Sequence, residues 1–204
     1  MKKKSALKSF GFLLVLAVLA FVAFGIFEID SFAKTEGREL DQLFSDLGIL
    51  KVPPDADPLE IILSDPDGQP VRLSDLRGKI VFINFWTTWC MACVIEMPSM
   101  EKLHQKFKDR DFVMLAINLQ ESALKVRQFF KDYGLTFRAL LDITGDVGGV
   151  LGIRAIPTTF ILDKSGRIIG KALGPREWEG KESIALFEYL TESTVTGSNL
   201  QHRN

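Results

Sequence analysis

The chain has 204 residues with 25 basic and 26 acidic side chains, a net charge of −1. Charge this evenly balanced gives no footprint for nucleic acid, and the length is enough for one domain with its own core. Two cysteines and two distant histidines, His104 and His202, fall short of the four ligands of a usual zinc site, so no metal and no other cofactor is expected.

Residues 1–9 form a basic tail carrying Lys2, Lys3, Lys4 and Lys8. Residues 10–27 (FGFLLVLAVLAFVAFGIF) hold no charge, and their length is close to the roughly 20 residues that cross a bilayer core. Lysines before the segment and acids after it (Glu28, Asp30) predict a signal anchor with the remainder of the chain outside the cytoplasm. A cleaved signal peptide is the alternative; it needs a shorter apolar run and a small-x-small cleavage site. Both readings export the domain to a compartment where disulfides persist. Residues 28–57 are read as a stalk. Within it, Leu40, Leu43, Phe44 and Leu47 fall at helical spacing, so a short amphipathic helix is expected before Pro53-Pro54 and Pro58.

Residues 58–190 read as the folded domain. Leu59–Leu63, a turn at Asp65-Pro66-Asp67-Gly68 and Val71–Leu73 predict an N-terminal β-hairpin. Ile80–Phe85 (IVFINF) is almost continuously apolar and suits a strand buried on both faces. A helix is predicted from Cys90 to Asp109 with Pro98 kinking it, then a strand over Phe112–Asn118. A helix over residues 122–133 with Gly134 as its cap comes next, then a strand over Phe137–Leu141 and one or two helical turns in residues 145–151. Thr158–Leu162 and Ile168–Leu173 flank Asp163-Lys164-Ser165-Gly166 as a hairpin. A closing helix over residues 180–190 and a polar tail, residues 191–204, complete the chain. Alternation of strands and helices predicts an α/β domain with a mainly parallel sheet and helices on both faces, the terminal hairpin adding an antiparallel edge.

Cys90-Met91-Ala92-Cys93 stands where a buried strand gives way to a helix. A helix N-terminus stabilises a thiolate, the nucleophile of thiol–disulfide exchange. Spacing i,i+3 puts Cys93 on the same face, one turn deeper, so Cys90 can attack and Cys93 can resolve. A purely stabilising bridge across so short a loop would restrain little of the unfolded chain. Glu96 continues that face; it is read either as a proton partner for the thiol or as a solvated helix glutamate. Pro157 opens a strand. If its peptide bond is cis, the Ile156 backbone can be brought beside the dithiol to pair with an extended substrate.

The run Trp86-Thr-Thr-Trp89-Cys90-Met-Ala-Cys93-Val-Ile-Glu96-Met-Pro98 resembles the thioredoxin superfamily, and within it the membrane-anchored TlpA/ResA-type branch. Gly78-Lys79, Val81–Trp86, Ile156-Pro157-Thr158-Thr159-Phe160-Ile161-Leu162-Asp163 and Leu173–Trp178 carry further similarity. The resemblance implies a thioredoxin-like fold with a central mixed sheet, an N-terminal β-hairpin and a helix–strand insert. It implies an extracytoplasmic thiol–disulfide oxidoreductase that reduces protein disulfides, for example apocytochrome c, and is recharged by a CcdA- or DsbD-type membrane electron donor. It gives Cys90 the attacking role, Cys93 the resolving role, Glu96 proton handling, and substrate binding to Trp89, Ile156 and the cis-proline Pro157. Two departures stand out: Met91-Ala92 where the family usually has a proline, and Ala155 where many relatives have glycine. Such proteins as oxidants or isomerases use the same dithiol, and Met91-Ala92 leaves that alternative open. A thiol peroxidase would use Thr87 three residues before Cys90 but lacks a proline at Ile83. A copper-binding module on this fold would be expected to space its cysteines more widely and add a histidine.

Overall fold

A computed structural model describes residues 39–53 and 57–192. The apolar segment at residues 10–27, residues 28–38 and 54–56 of the expected stalk, and the tail beyond residue 192 lie outside the described residues. The chain divides into two compact units, residues 1–40 and 41–204. Of the first, Glu39 and Leu40 are described, both helical. Among the described residues no helix is long and apolar enough to cross a membrane.

Helix α1, described over residues 39–46, is the expected amphipathic segment, and it ends just before Leu47. Phe44 is buried, and Phe44 and Ile49 stand against Gly170, so this stretch packs on the sheet. Strand β1 (Leu50–Lys51) follows and joins the sheet edge. The N-terminal hairpin is β2 (Ile62–Ser64) and β3 (Pro70–Arg72). Its turn closes because Asp65 Oδ1 accepts the Asp67 and Gln69 N–H groups, while Gly68 takes φ 83°. A 3₁₀ turn (Leu73–Leu76) leads to β4 (Ile80–Trp86), buried along its whole length.

From β4 the chain crosses through α2 (Met91–Phe107) to β5 (Phe112–Leu119), then through α3 (Ala123–Tyr133) to β6 (Arg138–Asp142). Ser122 caps α3 through its side chain, and Gly134 ends it in the left-handed region at φ 63°, as the sequence implied. The short helix α4 (Asp146–Val150) precedes β7 (Thr158–Leu162) and β8 (Ile168–Leu173), and α5 (Lys181–Glu192) closes the described chain.

The strands lie in the order β1-β8-β7-β4-β5-β6-β2-β3. Only β4–β5 and β5–β6 are parallel; β1–β8, β2–β3, β2–β6, β4–β7 and β7–β8 are antiparallel. The sheet is therefore mixed, as the resemblance implied, with less parallel pairing than the alternation of strands and helices alone suggested. Parallel pairing needs a helical crossover, and only α2 and α3 supply one between neighbouring strands.

Strand alternation divides the core. Val81, Ile83 and Phe85 point to a cluster with Leu115, Ile117, Leu140, Phe160 and Leu162, covered by Val147 and Leu151 around α4. Phe82, on the opposite face, stacks edge-on to Trp178, and Phe82, Phe107 and Phe112 gather round Phe187 of α5. Asn84 shares that second face, toward α2.

Candidate active site

Cys90 is the N-cap of α2. Its backbone is extended (φ −81°, ψ 98°), so the helix begins at Met91 rather than at Cys90 as expected, and it ends at Phe107, short of Asp109. The Cys93 N–H donates to Cys90 Sγ at 3.2 Å. The sulfur thus sits on a free N–H at the positive end of a helix, where a thiolate is favoured. Cys90 and Cys93 are joined as a disulfide with Cα atoms 5.2 Å apart. Cys90 retains 7% exposure and Cys93 has none, so an approaching group meets Cys90 first.

Trp89 is 70% exposed beside the bridge, and Met91 and Ile95 are exposed on the first turns of α2. The Ile156–Pro157 peptide is cis. Cys90 Sγ lies 3.8 Å from Ile156 O, so the backbone before β7 borders the disulfide. Thr158 Oγ1 donates to Ala155 O at 2.7 Å, closing this loop with alanine in place.

Glu96 is buried in the second turn of α2, with 2% exposure, which rejects the solvated-helix reading. Its Oε1 accepts from Asn84 Nδ2 at 2.8 Å, and its Oε2 accepts the Trp178 indole N–H at 3.0 Å and the Arg176 backbone N–H at 3.1 Å. Burial raises its pKa to about 7; the hydrogen bonds from Trp178, Asn84 and Arg176 oppose that rise without cancelling it. Glu96 can therefore both hold and release a proton near neutrality. The Arg176 guanidinium, for its part, donates to Leu47 O, Gly48 O, Leu173 O and Gly174 O, pinning the end of α1 to the loop after β8.

A second carboxylate escaped the sequence reading. Glu121 follows β5 and is 9% exposed. It accepts from Thr88 N and Thr88 Oγ1, both at 2.7 Å, from Asn118 Nδ2 at 2.8 Å and from Lys125 Nζ at 2.5 Å. Burial would raise its pKa, but the donors from Lys125, Asn118 and Thr88 outweigh that and hold it at about 2. Glu121 thereby ties the loop carrying Trp89 and Cys90 to the end of β5. Its only sequence signal was an acid directly before the Ser122 cap. Trp178 and Arg176 were similarly visible only as residues within matching motifs. Among the described residues no group of three or more His, Cys, Asp or Glu side chains could hold a metal ion.

The Redoxin family profile matches residues 51–186, which include Cys90, Cys93, Glu96, Glu121, Pro157 and Trp178. The chain belongs to the Redoxin family. A Redoxin dithiol in this setting is that of a thiol–disulfide oxidoreductase, and the relatives agree. The thiol-disulfide oxidoreductase ResA of Bacillus thuringiensis (strain Al Hakam) is 36% identical over 121 residues, 59% of this chain and 70% of that protein. Among solved structures, StoA from Bacillus subtilis aligns with TM-score 0.55 at 26% identity, over 66% of this chain and 98% of its own. A thiol:disulfide interchange protein of the thioredoxin family from Chlorobium tepidum TLS aligns with TM-score 0.56 at 26% identity, over 68% and 99%. The Redoxin domain here accordingly has the thioredoxin-like fold.

Proposed function

We propose that this oxidoreductase is a reductant of protein disulfides, held by residues 10–27 at a membrane with its domain outside the cytoplasm. The observation that carries the reading is a Cys90–Cys93 pair whose first cysteine caps α2, with a buried carboxyl, its pKa raised to about 7, one turn beyond Cys93. Cys90 thiolate attacks a substrate disulfide, forms a Cys90–substrate bond and releases one substrate thiolate. Glu96 carboxylate takes the Cys93 proton. Cys93 thiolate then attacks Cys90 Sγ and releases the second substrate thiolate, which takes up a proton. Two electrons have passed to the substrate, and the protein stands in the disulfide form seen in the structure. A membrane carrier of the CcdA or DsbD kind, itself a dithiol, returns two electrons and two protons.

The backbone at Ile156, bordering the disulfide, supports docking of an extended segment beside Cys90, with Pro157 shaping the loop and Trp89 flanking it. Such a segment fits the haem-attachment cysteines of an apocytochrome c. The reduction potential of the Cys90–Cys93 couple, equilibrated against glutathione, tests the direction. A value at or below thioredoxin's, about −270 mV, is expected; one near about −120 mV, where strong oxidants lie, overturns the reductant reading.

A further inference from the structure

Asn84 interrupts an otherwise apolar β4 and is fully buried. Its Nδ2 donates to Glu96 Oε1 at 2.8 Å and to Thr159 Oγ1 at 3.0 Å; Thr159 stands directly opposite it in the β4–β7 register. Its Oδ1 is buried without a hydrogen-bond partner among the described residues. A buried amide oxygen left empty in a strand calls for a physical reason.

The donors around Glu96 supply one. Its carboxyl meets three N–H groups, from Asn84, Arg176 and Trp178. A backbone N–H and an indole N–H can only donate. This arrangement satisfies a carboxylate and leaves the O–H of a carboxylic acid with nowhere to point. Glu96 nevertheless populates both forms near neutral pH. Of its three partners, only a primary amide can change from donor to acceptor. A half-turn about its Cβ–Cγ bond exchanges Oδ1 and Nδ2 and moves nothing else. Oδ1 then stands within reach of Glu96 Oε1 and Thr159 Oγ1, and both can donate to it. Two bonds are made in each orientation, and one end of the amide stays unpartnered in each.

We infer that Asn84 is a positioning residue whose amide turns over with the Glu96 proton, donating to the carboxylate and accepting from the acid. The inference rests on the reading of Glu96 as the proton-handling group. It explains why a buried carboxyl can gain and lose a proton while holding its place behind Cys93. The groups facing Glu96 are Asn84 on β4, Thr159 on β7 beyond it, and Arg176 and Trp178 in the loop before α5. Arg176 is the charged one, and its guanidinium engages four carbonyls elsewhere.

Asn118 provides an internal control. It too is buried with Oδ1 unpartnered and Nδ2 on a carboxylate. That carboxylate, Glu121, stays ionised throughout the neutral range, so the Asn118 amide has no proton to follow.

The test is nuclear magnetic resonance on the oxidised full chain in detergent, labelled at Asn side-chain nitrogen and Glu carboxyl carbon, from about pH 5 to about pH 9. Glu96 and the Asn84 side-chain amide should shift with one common midpoint near 7, while Asn118 stays still. The Asn84 shift should vanish in Glu96→Gln. A titrating Glu96 beside an unmoved Asn84 overturns the amide turnover and leaves the Glu96 reading standing. A Glu96 that does not titrate in this window overturns both. Equal shifts at Asn84 and Asn118 mark a global change and overturn the turnover as well.

Discussion

Glu96 has a folded-state pKa raised from 4.5 to about 7, so the folded chain binds its proton more tightly than the unfolded chain does. Its contribution to stability is fully present below 4.5 and is lost as pH rises through about 7, a change of about 3 kcal/mol. Urea unfolding of the oxidised protein should therefore show that loss between acidic and alkaline buffer, and Glu96→Gln should flatten it. An unchanged slope in the variant would assign the pH dependence elsewhere. Glu121 behaves oppositely. Its depressed pKa gives stability above 4.5 that fades as pH falls toward 2. Glu121→Ala strands the Thr88 N–H and the Asn118 amide, and should cost about 3 kcal/mol at neutral pH and slow disulfide reduction. Denaturant midpoints and turnover measured together check this; an unaltered turnover would mean that the Thr88 loop holds without its anchor. The dithiol was legible because two cysteines at i,i+3 after a strand admit few other uses. The partners of Glu96 were not, because Asn84, Arg176 and Trp178 are up to 82 residues from it in sequence and meet it only through the fold.

At the scale of elements, period and punctuation carried far. The apolar run IVFINF did become a strand buried on both faces, and Gly134 and Gly166 did take the left-handed turns. What local pattern could not give was strand order. Nothing in Thr158–Leu162 announces that it runs antiparallel to β4, since direction depends on the path taken through α4. Strand β1 was also missed, because two residues are too few to show a period. Its docking is testable at Gly170, its partner across the β1–β8 pair. A Cβ there would stand 3.0 Å from Ile49 Cγ2 and 3.1 Å from a Phe44 ring carbon. Gly170→Ala should destabilise the domain by about 1–3 kcal/mol through overpacking, read as a lower denaturant midpoint at unchanged slope. No loss would mean that residues 44–50 yield freely.

For the whole molecule, the fold places Cys90 at a helix tip, a fully buried Cys93 joined to it and the buried Glu96 carboxyl a turn further along the helix, with the Ile156 backbone bordering the disulfide. The thioredoxin-like class was readable from motif and alternation together; the face that gathers Asn84, Glu96 and Trp178 needed the sheet. The central claim is that Cys90 meets the substrate and Cys93 resolves it. Trapping tests it most directly. Each single serine variant, reduced and mixed with a disulfide-bonded peptide, is quenched with acid and weighed by mass spectrometry. Cys93→Ser should accumulate one mixed disulfide per chain through Cys90, while Cys90→Ser, whose remaining sulfur is fully buried, should stay unmodified. Adduct on Cys90→Ser with none on Cys93→Ser would contradict the account.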